Sequence, residues 1–486
     1  MKIQSVDQKV FSFAGLPPVV VEPCDAQLSS DAGLLPIRQL DERLGLTAQF
    51  AAALADARQS GKVEHAFEEL VRCRVYGILA DDADQNDHDA LRSDPVFKLI
   101  AGRRPTDDDL ASQPTHSRFE NAIDVPSLNR LRDLEIDQFI ASFDAPPARL
   151  TFDIDPFDDP AHGRQQLTFF HGCYGQHQYR PRVITCAEND LVVMPCWLYG
   201  SAHPSLGADD DVEHLVNRLR AAWPDVHIHL RGDSGFGVPH MYAVCERLDI
   251  HDSFGIGRNA RLKADSDALL QQAVTAFETT GVPQRLFQAQ WHQAGSWEQP
   301  RWVVIKVEAH AQGTNRRGVV TNRPGAQVLP AAAYAEYANR GESENRNKEL
   351  KRGLHAERLS DHRYMANLFR LHLHIAAYNL LTRLKTLRAL PTASIRDSLP
   401  GAPADPPLPT EALAEPHRRA YFNHRRERDV LGGAQPETWR TRLIKVAALV
   451  TTSARRVWVQ LSGHWPYLHH SAAVSAAVLA VAPRTG

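Results

Sequence analysis

The sequence predicts an α/β protein, a sheet-forming core interrupted and flanked by helical segments. Three observations predict it. Apolar residues recur at helical spacing through residues 34–55, 65–79 and 127–143, with Ser127 a candidate N-cap for the last of these. After Pro146-Pro147 the period drops to two: Leu150, Phe152 and Ile154 alternate with Thr151, Asp153 and Asp155. The same alternation returns at Val226, Ile228 and Leu230 against His227, His229 and Arg231, after a helical stretch at 211–223.

These shifts of texture divide the chain. Residues 1–147 read as a helical N-terminal segment and 148–257 as the first part of an α/β core, with further strands at 182–186 and 190–198. Residues 258–330 read as a β-rich insertion containing strands at 301–309 and 317–321, and 331–389 as the second part of the core, helical from Tyr334. Residues 390–416 hold seven prolines without periodicity and read as a linker. Residues 417–486 read as a basic helical C-terminal segment, ending in an apolar helix near 472–482. A chain of 486 residues is too long for one compact core.

Composition excludes several classes. No apolar stretch is long enough to cross a bilayer, and the first 30 residues do not have the pattern of a secretion signal. Six cysteines lie scattered without a C-x-x-C pair, which argues against a zinc or disulfide framework and fits a reducing cytoplasm. No G-x-x-x-x-G-K-[ST] loop occurs, so a nucleotide-driven motor is disfavoured. The net charge is only −3, but it is unevenly spread. Residues 340–388 carry eleven Lys/Arg against five Asp/Glu, and residues 416–456 carry ten against three. Such a basic C-terminal third suits a polyanion, although solvated helical faces would look the same.

The candidate chemistry is acidic. Asp153 and Asp155 lie on the polar face of the first core strand, and Asp233 stands just past the second, before the turn-like Ser234-Gly235-Phe236-Gly237. Carboxylates at strand ends are expensive to bury without a cation, and Mg²⁺ is usually held by one or two of them plus phosphate oxygens. Taken alone, each could be a solvated loop aspartate. Tyr337, Arg340, Glu344, Lys348 and Lys351 follow at spacings of 3, 4, 4 and 3, which on one continuous helix confines them to a stripe about 80° wide. One acid flanked by cations would place a metal ligand beside phosphate-holding groups. An exposed helix with a Glu344–Lys348 ion pair would show the same spacing. His227, His229, His372 and His374 have no metal-ligand pattern and read as half-exposed strand residues or helix packing. A glycosidase could also use paired carboxylates, but it gives no reason for the cationic stripe.

Tyr, two residues, Arg, three residues, Glu, six residues, Lys is the signature of a large set of bacterial DDE insertion-sequence transposases, and Tyr337 to Lys351 resembles it without a gap. Phe152-Asp-Ile-Asp155-Pro-Phe-Asp-Asp-Pro160 and Leu230-Arg-Gly-Asp233-Ser-Gly-Phe-Gly237 resemble the set's two aspartate motifs. Asn86 to Arg92 and Leu110 to Asn121 resemble the N-terminal region of the insertion-sequence-1380 group. The chain departs at Phe157, where that set has threonine after Asp-x. The resemblance implies a ribonuclease-H-like (retroviral-integrase-like) core carrying a β-rich insertion, with Asp155, Asp233 and Glu344 as catalytic and metal-binding residues. It implies two Mg²⁺ ions, with Mn²⁺ as a substitute, and two-metal phosphoryl transfer on DNA. Tyr337, Arg340, Lys348 and Lys351 would contact the DNA, while the N- and C-terminal segments recognise terminal inverted repeats as a homodimer on double-stranded DNA. Trp291, Trp297 and Trp302 could stack on bases, core packing being their ordinary role. A domesticated relative that only binds DNA is the alternative.

Overall fold

A computed structural model describes residues 8–257, 260–387, 431 and 434–483. The expected linker at 390–416 lies outside the described residues, as does most of 417–433.

The N-terminal part is helical with a short β preface. Strands β1 (Lys9–Phe11) and β2 (Val19–Val21) form an antiparallel hairpin, and β3 (Gln27–Ser29) follows. The expected helix over 34–55 is two helices, α1 (Leu34–Leu44) and α2 (Leu46–Ala52), because Gly45 sits at φ 70° and turns the chain. Helix α3 (Phe67–Ala80) buries Leu70, Val75, Ile78 and Leu79 on several sides and so lies inside the helical core. Helices α4 (His88–Leu91), α5 (Pro95–Ala101), α6 (Gln113–Asn121) and α7 (Val125–Ile140) complete this part. Asp124, rather than Ser127, caps α7: its carboxylate accepts from the Ser127 backbone N–H at 2.9 Å. Ser127 is buried, and its Oγ accepts from the Ala55 N–H at 3.1 Å.

The core strands are β4 (Arg149–Pro156), the short β5 (Asp159–Pro160) and β6 (Phe169–His171), β7 (Gln176–Cys186), β8 (Val192–Tyr199), β9 (His227–Gly232) and β10 (His251–Ile256). They pair in the order β8-β7-β4-β9-β10; β4, β9 and β10 run parallel, while β7 and β8 are antiparallel. The parallel crossovers are α8 (Ala208–Ala222) and α9 (Pro239–Arg247). Leu150, Phe152 and Ile154 fill the core on one face of β4, which turns Thr151, Asp153 and Asp155 to the other.

The region expected as a β-rich insertion, 258–330, holds three strands and two helices among its described residues. It opens with α10 (Ala260–Asp265) and α11 (Asp267–Thr280), and its strands β11 (Gln284–His292), β12 (Arg301–His310) and β13 (Gly313–Thr321) extend the core sheet. The join is β13 antiparallel to β10, where Phe254 meets Val320. Val303, Ile305, Val307 and Val320 therefore share the core with β9 and β10. The hydrophobic pattern could not signal this, because a strand reads alike in either sheet.

The helical stretch expected from Tyr334 to Ala389 is broken. Helix α12 (Pro330–Ala338) ends at Asn339, α13 (Gly341–Lys348) begins after Arg340, a π-turn spans Glu349–Gly353, and α14 (Tyr364–Leu387) follows. At the first break the Arg340 N–H bonds back three residues to Tyr337, as expected where Gly341 weakens the helix. Helix α14 joins the two cores. It packs on α3 and α1, and the Asn379 amide bonds both the N–H (2.9 Å) and C=O (2.8 Å) of Val192, covering the open edge of β8.

The C-terminal part is not wholly helical as expected. After α15 (Pro436–Trp439), strands β14 (Ala448–Thr452) and β15 (Val457–Leu461) precede α16 (Leu468–Ala480). Val450, Thr451, Thr452, Val457 and Val459 are β-branched residues that favour this hairpin. It is completed by β3, so the two ends of the chain meet in one three-stranded sheet. Among the described residues, no helix is long and apolar enough to cross a membrane.

Candidate active site

The site forms where β4 and β9 end. Ile154 pairs with Gly232 across the parallel strands, so the next residues, Asp155 and Asp233, emerge side by side. Asp233 begins a tight turn, its Oδ1 accepting from the Gly235 N–H at 2.8 Å. Phe236 drops back into the core beneath it. Gly255, on the neighbouring β10, is obligatory here: a Cβ would lie 2.7 Å from the Tyr337 hydroxyl and 2.9 Å from the Ser234 nitrogen.

Glu344 reaches the same place from α13. Arg340 is the link, with Nη1 3.3 Å from Asp155 Oδ2 and Nη2 3.6 Å from Glu344 Oε1. Asp155 Oδ2 also accepts from Asn347 Nδ2 at 3.2 Å and from the Ser343 hydroxyl at 3.4 Å. Burial pushes the Asp155 carboxyl up to about 7; Arg340 opposes that rise, while Asp233, Glu344 and Asp153 reinforce it. Burial likewise raises the Tyr337 phenol against the nearby Arg340.

Asp153 has another task. It is fully buried and bound by two arginines: Arg231 donates to both its oxygens at 2.7 and 2.9 Å, and Arg346 Nη1 to Oδ2 at 3.0 Å. Arg346 also holds Asp190 at 2.6 Å. Asp153 thus tethers α13 to β4 and β9, leaving Asp155 as the acid at the rim.

The structure brings Asp155, Asp233, Glu344, Arg340 and Tyr337 together but spreads out the rest of the stripe. The break at Asn339–Arg340 and the π-turn violate the continuous 3.6-residue period assumed for it. Lys348 is exposed and has no ion pair among the described residues. Lys351 is committed to Asp158 at 2.5 Å and Glu357 at 3.5 Å. The sequence reading missed Arg346, Ser343 and Asn347, which lie off the stripe. It had one usable signal for the tether, since Asp153 and Arg231 both fall on polar faces of neighbouring strands. His229, expected half-exposed, is buried: α12 packs over that face, and its ring bonds Ser253 Oγ at 2.9 Å and Arg149 at 3.1 Å. His372 is buried against Glu135 at 2.8 Å, and His374 against the Leu354 carbonyl at 2.8 Å. Of the three tryptophans, Trp297 lies in the core and only Trp291 is largely exposed. Phe157, in the threonine position, packs into the helical core.

A cleft of about 900 Å³ opens beside Asp233, lined also by Ser234, Tyr337, Lys263, Arg316 and Arg317. Among the described residues, no set of three or more His, Cys, Asp or Glu side chains is drawn in tightly enough to form a ready cation cage. Glu344 in particular keeps 70% of its side chain exposed. The donor type nevertheless suits a divalent ion: Asp233 and Glu344 lie near enough to help burial raise the Asp155 carboxyl, and oxygen ligands are what Mg²⁺ takes.

An α/β sheet with carboxylates at its strand ends, beside a cleft lined by Lys and Arg, is the build of a nucleic-acid-processing protein. The chain belongs to the DDE transposase family: the family described as "Transposase DDE domain group 1" matches residues 12–398. Its business is accordingly DNA transposition and recombination. No curated protein matches the sequence. Among solved structures, the chain is similar to a piggyBac transposase synaptic complex with hairpin DNA, at 12% identity over 94% of this chain and 86% of that chain, with a TM-score of 0.39.

Proposed function

We propose that the chain is a Mg²⁺-dependent DNA transposase that cleaves at the terminal inverted repeats of its own insertion sequence and joins the freed ends to target DNA. Asp155, Asp233 and Glu344 would hold the metal, two ions in the full reading, with Mn²⁺ as a substitute. The observation that supports this is the meeting of the ends of β4 and β9 with α13: Asp233 stands beside Asp155, and Arg340 faces both Asp155 and Glu344. The strand order β8-β7-β4-β9-β10 supports a ribonuclease-H-like core. The gapless stretch Tyr337 to Lys351 supports the insertion-sequence signature and, with the N-terminal motifs, the insertion-sequence-1380-like group.

When bound, the ions would activate the attacking oxygen and stabilise the leaving one. The chain's own residues do the rest. Arg340, already facing the acids, would turn to a phosphate oxygen once cations neutralise Asp155. Lys348, exposed one turn beyond Glu344, would hold the next phosphate, and Tyr337 would fix Arg340 through its hydroxyl. Lys351, bound to Asp158 and Glu357, would have to leave an acid to join them. The helical N-terminal domain and the basic segment from 417 would read the repeats, and a homodimer would pair the two ends.

Asp233→Asn tests the assignment. The variant should bind terminal-repeat DNA normally and lose Mg²⁺-dependent strand cleavage; undiminished cleavage would reject it. Phe157, buried where relatives carry a hydroxyl, favours a second reading in which the protein only binds DNA. Absence of cleavage by the unmodified protein on its own repeats would select that reading.

A further inference from the structure

Beyond the carboxylate site, the sheet carries a projection with no role so far. Strand β7 starts well before β4 pairs with it, and its first residues form a finger with β5 and β6: Phe169 pairs with Gln178, Phe170 with His177, His171 with Gln176. The finger grows from the catalytic end of the sheet. Its base, Asp159 against Tyr179, comes four residues after Asp155, on the order of 10–15 Å along the chain.

The finger is rigid at its base and aromatic at its surface. Gly200 lets β8 press against it, since a Cβ there would lie 2.0 Å from the Gln178 carbonyl oxygen and 2.5 Å from that of Phe169. Arg180 ties it down through the Ala202 carbonyl at 3.0 Å and faces His171 at 3.4 Å. Phe169, Phe170 and Tyr174 are 44%, 55% and 49% exposed. They are braced edge-on by Tyr199, His177 and His171 at ring separations of 5.7, 5.7 and 5.0 Å. Exposed aromatics so grouped mark a binding surface.

The surrounding charge selects the partner. From Pro160 to Ala187 the chain has no aspartate or glutamate, although it has 58 in all, while Arg164 and Arg180 lie within that run. The acids nearest in space, Asp159 and Asp361, lie at the finger's base beside Tyr179, so its aromatic end offers a polyanion π-faces on which unpaired bases stack.

We propose that the finger, residues 161–180, is a stacking platform for unpaired DNA bases next to the reacting phosphate. The proposal rests on the transposase reading of the neighbouring carboxylates and adds to it a site for the single-stranded part of the substrate. The unpaired bases could belong to the element's end or to opened target DNA; their chemistry is the same.

The test uses the full-length protein in EDTA, so that no cleavage is needed. Three DNAs are compared: a blunt terminal-repeat duplex, the same duplex with about eight unpaired nucleotides carrying 2-aminopurine, and a forked duplex of unrelated sequence with the same label. Phe170→Ala with Tyr174→Ala should weaken binding of DNA with unpaired bases by about 5-fold per ring and abolish the 2-aminopurine quench. Blunt-duplex affinity should stay within about 2-fold. Loss confined to the second DNA assigns the platform to the element's end, and loss on both labelled DNAs assigns it to opened DNA generally. Phe170→Trp should keep the quench, and an unchanged thermal transition in every variant shows that folding is intact. Equal loss on the blunt duplex, or no loss, overturns the platform. So does a fall in solution mass for the alanine variant, which would make the finger a contact with a second copy of this chain. Failure of the unmodified protein to bind any of the three DNAs overturns the transposase reading along with it.

Discussion

Neutralising Asp155 should stabilise the protein while destroying its activity. In the fold this carboxyl titrates at about 7, against 3.8 for the free side chain, because burial and the facing acids disfavour its charge. At about 1.4 kcal/mol per unit, that difference amounts to about 4 kcal/mol of native-state destabilisation. The attraction of Arg340 is already contained in this figure, being one of the influences that set the value. The sign follows from proton counting: between 3.8 and about 7 the native state holds the proton more tightly than the unfolded chain, so stability falls as pH rises through that window. The penalty is absent below it and complete above it. Asp155→Asn removes the charge and keeps the shape. Urea unfolding in EDTA at pH 8 should therefore find the variant more stable by up to about 4 kcal/mol, with the advantage shrinking by about 1.4 kcal/mol for each pH unit below 7. Mg²⁺ should then stabilise the parent protein and leave the variant unchanged. A variant less stable than its parent at pH 8, or an advantage that ignores pH, would refute the reasoning.

The other predictions concern the supports around the site. Asp153→Ala leaves Arg231 and Arg346 buried without their shared carboxylate and should destabilise the fold by ~3–5 kcal/mol in chemical denaturation. Glu120, fully buried between Arg74 at 2.6 Å and Arg370 at 2.5 Å, resists burial's upward push because those arginines hold it at about 2. Its contribution, about 3 kcal/mol, should be fully present above pH 4.5 and decline as pH falls toward 2, so the deficit of Glu120→Gln should be constant at neutral pH and narrow only below 4.5. Lys348→Ala, on an exposed residue with no ion pair among the described residues, should leave stability unchanged, weaken binding to all DNA sequences alike, and lower the salt slope of binding by about 1.

The elements that were readable from the sequence owe their legibility to short-range periodicity. The alternation at 150–155 and 226–231 located β4 and β9, and Asp155 and Asp233 follow because each stands at the end of such a run. What was hidden is long-range or local in another way. The union of β13 with β10 depends on which strand edge is free, a property no single segment carries. The split of the Tyr337–Lys351 stretch falls beside Gly341, an exposed glycine with open space around it, and a lone glycine does not by itself say whether a helix continues or breaks. The hairpin at 448–461 was masked by the basic, helix-like composition around it, and tertiary pairing with β3 decided the outcome. Arg346 escaped notice because its partners, Asp153 and Asp190, lie more than 150 residues away.

The Asp153 tether bears on how such a protein can change over time. On the way from Asp233 to Glu344 the chain makes a long excursion, two helices and three strands between β10 and α12, yet the position of α13 is fixed by an ion cluster rooted in β4 and β9. As long as β12 and β13 keep their places in the shared core, the length of the excursion's loops is not what sets the spacing of the acids. Descendants can therefore lengthen, shorten or redecorate those loops to suit new DNA ends without retuning the chemistry.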